Sequence, residues 1–317
     1  MVDNDERPFT PVDGVLFTAI SLIWGASFLL IAIGLEDLTP GMVALVRVGA
    51  GAATLLLMRF IVPDGNRSID RADLPRVIAL SFVWVAVPFT LFPLAQEHIN
   101  SALAGLLNGG TPIFVAVIGT IVTGRRPKGL VLFGLGLGFV GVVALSLPSI
   151  GQGASEARGV AMVVAATVCY GVAFNLAGPL QQRYGAVPLM STVLGLATVW
   201  LLPVGFRDLA GNQWAPDTLG AVLVLGVVGT GLAYWIMSSL VGRIGSVRGS
   251  FITYLIPVVA LLLGVVFRGD TIAGLALFGA ALTTLGAVLA SGRFGSASVD
   301  PRPGPSASTV GSSPTVD

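Results

Sequence analysis

Two stretches of sequence decide the fold, and they lie 145 residues apart. Residues 99–146 read INSALAGLLNGGTPIFVAVIGTIVTGRRPKGLVLFGLGLGFVGVVALS, and residues 244–291 read IGSVRGSFITYLIPVVALLLGVVFRGDTIAGLALFGAALTTLGAVLAS. At this constant offset Pro112 coincides with Pro257, and several glycines coincide across three apolar segments. Chance matching of apolar segments explains leucine on leucine, but it does not readily explain a proline and several glycines in one register. The sequence therefore contains an internal repeat. The other matched pairs are Ile99 and Ile244, Ser101 and Ser246, Gly119 and Gly264, Gly124 and Gly269, Gly129 and Gly274, Phe133 and Phe278, Gly134 and Gly279, Gly141 and Gly286, and Ser146 and Ser291.

The composition excludes a soluble globular protein. Hydrophobic residues make up 54% of the 317 residues and charged residues only 10%, whereas an ordinary soluble domain has roughly 25% charged residues. The mean hydropathy is +0.90, so most of the chain has lipid as its solvent. A net charge of +1 leaves no basic surface for nucleic acid, which we exclude as a partner.

Apolar segments of membrane-spanning length occur ten times. Each is near the roughly 20 residues that a helix needs to cross a bilayer, and far longer than a barrel strand. We therefore predict an all-α integral membrane protein with ten transmembrane helices. The acidic N-terminus argues against a cleaved signal peptide. The predicted spans are residues 14–35, 41–61, 77–96, 102–122, 129–147, 159–180, 187–206, 219–241, 250–267 and 273–291.

Five spans per repeat place the two copies in opposite orientations across the membrane. Charge agrees, because the cationic loop Arg125-Arg126-Pro127-Lys128 aligns with residues 270–273, which begin with Asp270. We predict two inverted five-helix repeats, residues 14–148 and 159–291, joined by an external linker at 149–158. Residues 1–13 form a cytoplasmic N-terminus, and the Ser-, Pro- and Gly-rich tail at 292–317 is predicted to be disordered.

Cations are distributed unequally between the two sides. By this topology 13 arginine and lysine residues fall on the side of the N-terminus, and only Arg158, Arg207 and Arg268 on the other. The positive-inside rule then predicts a multi-pass protein of the cell membrane with both termini in the cytoplasm.

Motifs in both repeats resemble the drug/metabolite transporter superfamily, and specifically its ten-span EamA-type members. The resemblance covers residues 14–291. It implies an inner-membrane carrier, frequently an exporter, for amino acids or similar small metabolites. An acidic residue that family members often have after the fourth span is replaced here by Arg125, whereas Asp270 keeps it in the second copy. The matching residues are Trp24-Gly25-Ala26-Ser27-Phe28, Arg47, Asn100-Ser101-Ala102, Pro112, Gly245-Ser246-Val247-Arg248-Gly249, Tyr254 and Pro257, and the first motif recurs at an offset of 146 as Tyr170-Gly171-x-x-Phe174.

Arg47 is the one formal charge well inside a predicted span, where it costs about 2.5–3.5 kcal/mol on insertion scales. Two roles offset that cost: holding a substrate carboxylate in the bundle interior, or pairing with carbonyls to join helices. We take the structural role as the prediction.

Aromatic and amide side chains within the spans predict a midplane substrate cavity. Aromatic rings hold an amphipathic or cationic metabolite by stacking and cation–π contact, with core packing as the alternative. Amides and hydroxyls line such a pathway or hydrogen-bond between helices. The candidate substrate-binding residues are Trp24, Trp84, Asn108, Thr111, Tyr170, Asn175, Tyr234, Trp235 and Tyr254.

Prolines within the spans indicate helices that open or move. Each removes a backbone hydrogen bond and frees carbonyls that are tolerated only against protein or a wet cavity. We assign Pro88, Pro112 and Pro257 a structural or gating role, with Pro93 as a further interruption. The run from Asn108 to Pro112 is the strongest candidate for a locally opened helix.

The candidates for energy coupling are Glu97 and His98, which lie at an external span end. A facilitator is as consistent with the sequence as a proton antiporter. Paired carboxylates, nucleophile dyads and metal ligands are not found at membrane depth, so we predict no enzyme activity, no metal and no cofactor. The expected partners are a small-molecule substrate and the lipid bilayer, with a homodimer left open. The alternatives are a translocator of nucleotide sugars or lipid-linked substrates and a non-transporting membrane protein.

Overall fold

The computed structural model describes residues 10–61, 67–124, 129–150, 153–207, 209–237, 240 and 252–290. These residues form ten membrane helices, α1 to α10, in chain order. Helix α4 has two segments, separated by a turn at Gly109 and Gly110. The helices are α1 (Pro11–Gly34), α2 (Pro40–Met58), α3 (Leu74–Gln96), α4 (Ser101–Asn108 and Thr111–Thr123), α5 (Gly129–Ile150), α6 (Ala154–Tyr184), α7 (Ala186–Phe206), α8 (Pro216–Met237), α9 (Ile252–Arg268) and α10 (Gly274–Ala290).

Local sequence fixes where the helices begin. Thr10 and Asp13 form a reciprocal capping box at the start of α1, and Thr39 accepts a hydrogen bond from the backbone of Met42 at the start of α2. A proline follows each cap, where its missing N–H costs nothing. These caps satisfy backbone donors that would otherwise be unpaired near the membrane boundary.

The predicted helix count is confirmed. Seven helices are long and apolar enough to cross a membrane on their own, and shorter apolar stretches lie in α5, α9 and α10. Helix α6 is longer than the hydropathy predicts, because it continues through polar residues at both ends, from Ala154 to Tyr184. Helix α5 ends at Ile150 and α6 begins at Ala154, so both helices extend into the predicted linker at 149–158. The tail and the Gly245–Gly249 motif lie outside the described residues.

The contact between α5 and α10 has the symmetry of an inverted repeat. A Cβ atom added to Gly141 would lie 2.4 Å from the backbone nitrogen of Thr283. A Cβ atom added to Gly286 would lie 2.3 Å from the backbone nitrogen of Gly138. At the offset of 145, Gly141 corresponds to Gly286 and Gly138 to Thr283. The two contacts are therefore exchanged by a pseudo-two-fold operation. The copies are antiparallel, because a Cβ atom added to Gly279 would lie 2.4 Å from the backbone nitrogen of Leu145, so partners in α10 have lower numbers as residues in α5 have higher ones.

A second reciprocal contact explains the two repeated aromatic-glycine motifs. Gly25 in α1 packs on α9, where an added Cβ would lie 2.4 Å from Val259 Cβ. Gly171 in α6 packs on α4, where an added Cβ would lie 3.0 Å from Phe114 Cβ. Val259 corresponds to Phe114 at the offset of 145. Helix pairs α1–α9 and α6–α4 are thus equivalent crossings, and each needs a glycine because the helices approach so closely.

Helices α3 and α8 both contain a π-helical segment. In α3 it covers Ser81–Ala86, and in α8 it covers Val227–Leu232. The offset between the two segments is 146, as for the aromatic-glycine motifs. In α8 the hydroxyl of Thr230 donates to the carbonyl of Leu225 at 3.1 Å, five residues earlier. Such segments frequently occur at functional sites, since they redirect side chains relative to a regular helix.

Polar contacts between the repeats occur at both ends of the bundle. We call the end that contains the start of α1 the terminal face and the opposite end the distal face. At the terminal face, Arg183 pairs with Asp70 and Asp73. At the distal face, Arg268 pairs with Glu36. Further distal hydrogen bonds join Asp37 to Thr218, Thr39 to Asn212, Asn100 to Thr271 and Ser101 to Asp270.

Candidate functional site

Aromatic rings from both repeats meet in the bundle. The Tyr234 ring of α8 contacts Trp24 of α1, with centroids 6.2 Å apart, and Trp84 of α3, with centroids 5.8 Å apart. Trp84 in turn contacts Phe174 of α6 at 5.6 Å. Both contacts to Tyr234 are edge-to-face, the favoured arrangement for aromatic pairs. We call these four residues the aromatic cluster.

A second line of rings also crosses between the repeats. Tyr170 of α6 lies 6.0 Å from Phe92 of α3, and Phe92 lies 5.6 Å from Phe28 of α1. Phe28 and Phe92 are buried, whereas Tyr170 is half-buried. Four predicted residues, Trp24, Trp84, Tyr170 and Tyr234, therefore take part in ring contacts that link the repeats.

Arg47 lies buried in the middle of α2, with 7% of its surface exposed. Its Nε atom donates to Thr230 Oγ1 at 3.2 Å, and the guanidinium carbon lies 3.9 Å from the centroid of the Phe89 ring. Thr230 lies one helical turn before Tyr234 in α8, and Phe89 lies one turn before Phe92 in α3. The cation thus lies beside both lines of rings.

The interruption of α4 occurs at the run that the sequence singles out. Thr111 Oγ1 donates to the carbonyl of Asn108 at 2.8 Å and approaches Asn108 Oδ1 at 3.4 Å. Pro112 falls in the first turn of the second segment. A Cβ atom added to Gly109 would lie 2.7 Å from Cγ of Pro257, which is inside α9. The helix break of the first repeat therefore packs against the proline of the second.

The amide of Asn175 joins α6 to α4. Its Nδ2 atom donates to the carbonyl of Val115 at 3.0 Å and to the carbonyl of Gly171 at 2.8 Å. This is the interhelical role that the sequence left open as the alternative to a pathway role.

Three further predicted site residues are Trp235, Tyr254 and Pro88. Trp235 is 37% exposed on the surface of α8. Tyr254 lies in α9, and its side chain is outside the described residues. Pro88 follows the π-helical segment of α3.

The coupling candidates lie in the connection between α3 and α4, at the distal face. Glu97 is exposed, and His98 Nδ1 is 2.9 Å from Ser155 Oγ. His98 also lines a small distal cavity of about 180 Å³, together with Asn100, Glu156 and Thr271. Neither residue is at the depth of Arg47.

Five residues of the assembled site were missed at the sequence level. Phe28 and Phe174 could have been found, because they occupy the same position of the two repeated motifs. Phe89, Phe92 and Thr230 carry no such signal, since an apolar ring or a hydroxyl within a span is commonplace.

In the part of the chain that the structure describes, no group of three or more His, Cys, Asp or Glu side chains could hold a metal ion. The arrangement of rings, one guanidinium and hydroxyls is suited to noncovalent binding of an amphipathic molecule.

The profile of the EamA-like transporter family matches the chain twice, at residues 14–147 and 157–292. The chain is 28% identical over 266 residues to an uncharacterised transporter of Archaeoglobus fulgidus, covering 83% of this chain and 92% of that protein. It is 25% identical over 271 residues to a probable terminal-alkyne amino-acid exporter of Streptantibioticus cattleyicolor, covering 85% and 90% of the two chains.

A protein chain of known crystal structure has the same fold. It superposes with a TM-score of 0.61 at 19% sequence identity, covering 88% of this chain and 96% of its own length. At that identity the likeness bears on the fold alone.

Proposed function

The chain belongs to the EamA-like transporter family, and from that membership we propose that it exports small amphipathic metabolites of the amino-acid type. It is a multi-pass membrane protein whose homologues are named as transporters and exporters. The proposal adds the substrate class, the direction of transport and the residues that bind the substrate.

One observation carries this proposal: the aromatic cluster is built from both repeats. Trp24 and Trp84 come from the first repeat, and Phe174 and Tyr234 come from the second. In carriers built from inverted repeats, the substrate lies at the interface between the repeats near the midplane. Rings that touch across this interface have to rearrange when one repeat moves against the other.

The mechanism we propose is alternating access around this cluster. Polar contacts join the repeats at both faces, among them Arg183 with Asp73 at the terminal face and Glu36 with Arg268 at the distal face. With the terminal face in the cytoplasm, substrate enters after the terminal contacts break and leaves after the distal contacts break. No bond of the substrate is made or broken, so we propose neither catalysis nor a resident cofactor.

The amino-acid class rests on chemistry and on one relative. A cluster of rings accommodates the apolar part of a substrate, and neighbouring polar groups accommodate its charged end. The name of the Streptantibioticus cattleyicolor protein assigns it an amino-acid substrate. A nucleotide sugar would bring several negative charges to a region where Arg47 is the one cation in the middle of a described helix, since Arg76, Arg158, Arg183 and Arg268 lie near helix ends.

The test is a thermal-shift screen of the full-length protein purified in detergent. The compounds are amino acids, polyamines, nucleosides and UDP-glucose. A ligand that binds only the folded state adds about 2.7 kcal/mol of stability at 100 times its Kd. We expect amino acids with apolar side chains to raise the unfolding temperature, and proteoliposomes to exchange the same compounds.

Two tryptophans of the chain provide a matched pair of variants. Trp84→Ala removes a buried ring of the cluster, whereas Trp235→Ala removes an exposed ring of α8. We expect the ligand-induced shift to be lost in the first variant and kept in the second. Tyr234→Phe retains the ring and reports on the site if Trp84→Ala does not fold. Exchange of UDP-glucose, or flipping of a lipid-linked sugar, without amino-acid exchange would overturn the proposal.

A further inference from the structure

Arg47 is held in place by two contacts that leave its charge unneutralised. The Nε–H donates to Thr230 Oγ1 at 3.2 Å, and the guanidinium lies over the Phe89 ring at 3.9 Å. Thr230 is itself fixed, because its hydroxyl donates to the carbonyl of Leu225 within the π-helical segment of α8. One repeat supplies the cation and the other supplies the residue that orients it.

Most hydrogen-bond donors of this guanidinium are unused. Arginine has five N–H donors. Of the five donors of Arg47, only the Nε–H forms a hydrogen bond to a described residue. An arginine whose function is to join helices would direct its Nη donors at backbone carbonyls. Among the described residues, two side-chain nitrogen or oxygen atoms are fully enclosed and lack a hydrogen-bond partner. Both belong to the amide of Gln96, so the Nη atoms of Arg47 are not fully enclosed. The unpartnered Nη atoms of Arg47 are therefore open to a space that water can enter.

No carboxylate of the described residues neutralises Arg47. The ion pairs found there join Arg76 to Asp73, Arg183 to Asp70 and Asp73, and Arg268 to Glu36, all at the ends of the bundle. The acidic residues lie in connections or in the first turn of a helix: Asp13, Glu36, Asp37, Asp70, Asp73, Glu97, Glu156, Asp217 and Asp270. A buried guanidinium without an anion is costly, so an anion that arrives with the substrate would be bound strongly.

We propose that Arg47 binds the carboxylate of the transported metabolite. This inference rests on the proposed function and narrows its substrate to compounds with a single carboxylate next to an apolar part. A carboxylate accepts two hydrogen bonds from a guanidinium side by side, which matches the two free Nη groups. Tyr234 lies one helical turn after Thr230, the hydrogen-bond partner of Arg47, and it contacts Trp24 and Trp84. The apolar part of the substrate then lies against the aromatic cluster.

The charge is present in only one repeat, which orients the substrate. At offsets of 145 and 146, the residues of the second repeat that correspond to Arg47 are Thr192 and Val193, and both are uncharged. The substrate carboxylate is therefore held by α2 and not by its counterpart α7. A substrate with two or more phosphate charges finds one cationic partner here.

The experiment compares carboxylates with their neutral amides. The probes are phenylalanine, leucine, phenylalaninamide and leucinamide, tested by thermal shift and by competition for exchange in proteoliposomes of the full-length protein. In the wild-type protein we expect the carboxylates to bind at least tenfold more tightly than the amides. In Arg47→Met the preference disappears, while Arg47→Lys retains part of it because it restores a cation.

Arg59→Gln is the matched control, since it removes an arginine from the end of the same helix. It should keep the wild-type preference. If the wild-type protein binds none of the four probes and exchanges no amino acid, the proposed function and this inference both fail. If amino acids are exchanged and folded Arg47→Met keeps the tenfold preference for carboxylates, this inference alone is overturned. Should Arg47→Met not fold, Arg47→Gln gives the same comparison with a polar neutral side chain.

Discussion

The carboxylate of Asp270 caps the helix that Ser101 begins. Asp270 Oδ2 accepts hydrogen bonds from Ser101 Oγ at 2.7 Å and from the backbone nitrogen of Ala102 at 2.9 Å. An anion at a helix N-terminus also interacts favourably with the helix dipole. The end of α9 in one repeat is thereby tied to the start of α4 in the other, at the distal face. The corresponding positions at the terminal face, Ser246 and Arg125, lie outside the described residues.

Loss of this cap should open the distal face. Asp270→Ala removes the acceptor, and losing a helix cap typically costs about 1 kcal/mol. With a single reporter cysteine at position 103, introduced as Leu103→Cys in a Cys169→Ser background, we expect labelling by a membrane-impermeant maleimide to become several-fold faster. Leu103 is buried beside the distal cavity and suits this purpose. Asp217→Ala removes an exposed carboxylate from the first turn of α8 and should leave the rate unchanged. Equal rates in the Asp270→Ala and wild-type backgrounds would show that the cap does not control access.

Glycine substitutions in α5 should show which glycines are required for close packing against α10. An added Cβ at Gly141 meets the backbone of Thr283 at 2.4 Å, whereas at Gly136 it meets nothing within 4 Å. The backbone of α10 cannot move away from an added Cβ atom without distorting the helix. We therefore expect Gly141→Ala to destabilise the protein by about 1–3 kcal/mol. Gly136→Ala should be neutral or stabilise by about 0.5–1 kcal/mol, since alanine favours the helix. Thermal unfolding in detergent measures both, and similar effects of the two variants would contradict the packing of α5 on α10.

The terminal face should lose stability in acid through Asp73. A hydrogen bond from Tyr184 Oη at 2.7 Å, together with Arg183 and Arg76, holds the pKa of the Asp73 carboxyl below its ordinary value of 3.8. A lowered pKa means that the contribution to stability is complete above pH 3.8 and is lost as the pH falls through the lower folded-state pKa. Tyr184→Phe keeps the ring and removes the hydrogen bond, so the pKa of Asp73 should return toward its ordinary value.

Unfolding temperatures of the wild-type protein and Tyr184→Phe, measured from pH 6 to pH 3, check this expectation. The wild-type protein should be the more stable of the two at pH 6, and the difference should shrink as the pH falls toward 3. Tyr184→Phe also removes the acceptor of the Asp70 backbone N–H, which does not titrate in this range. Other carboxylates titrate in both proteins, so the pH dependence of the difference reports on Asp73. A difference that stays constant with pH would mean that Tyr184 does not act through this carboxylate.

The number and order of the helices could be predicted from the sequence, because composition alone determines which segments enter lipid. The offset of 145 also anticipated the pseudo-symmetric contacts of Gly141 and Gly286. The extension of α6 beyond residues 159–180 was not predicted, since polar residues such as Ser155 and Gln182 continue the helix where hydropathy ends.

The site was only partly predictable, for geometric reasons. Trp84 and Tyr234 were singled out as polar aromatic residues in lipid, but so was the neighbouring Trp235, which lies on the exposed surface. Consecutive helix residues point about 100° apart. When all faces of a helix are apolar, the sequence does not show which face contacts the interior of the bundle and which faces lipid. The contact between Arg47 and Thr230 joins positions 183 residues apart. Thr230 lies in a π-helical segment, and the amino-acid composition of that segment does not distinguish it from a regular α-helix.

Replacing Gln96 with leucine should stabilise the protein. Both amide atoms of Gln96, at the end of α3, are enclosed without a hydrogen-bond partner among the described residues. A buried polar group in that state costs about 1–3 kcal/mol, and an apolar side chain of similar size avoids the cost. We expect Gln96→Leu to raise the thermal unfolding temperature in detergent. Gln182→Leu changes an exposed amide near the end of α6 and should have little effect. A lower unfolding temperature for Gln96→Leu would mean that this amide does have a partner in the folded protein.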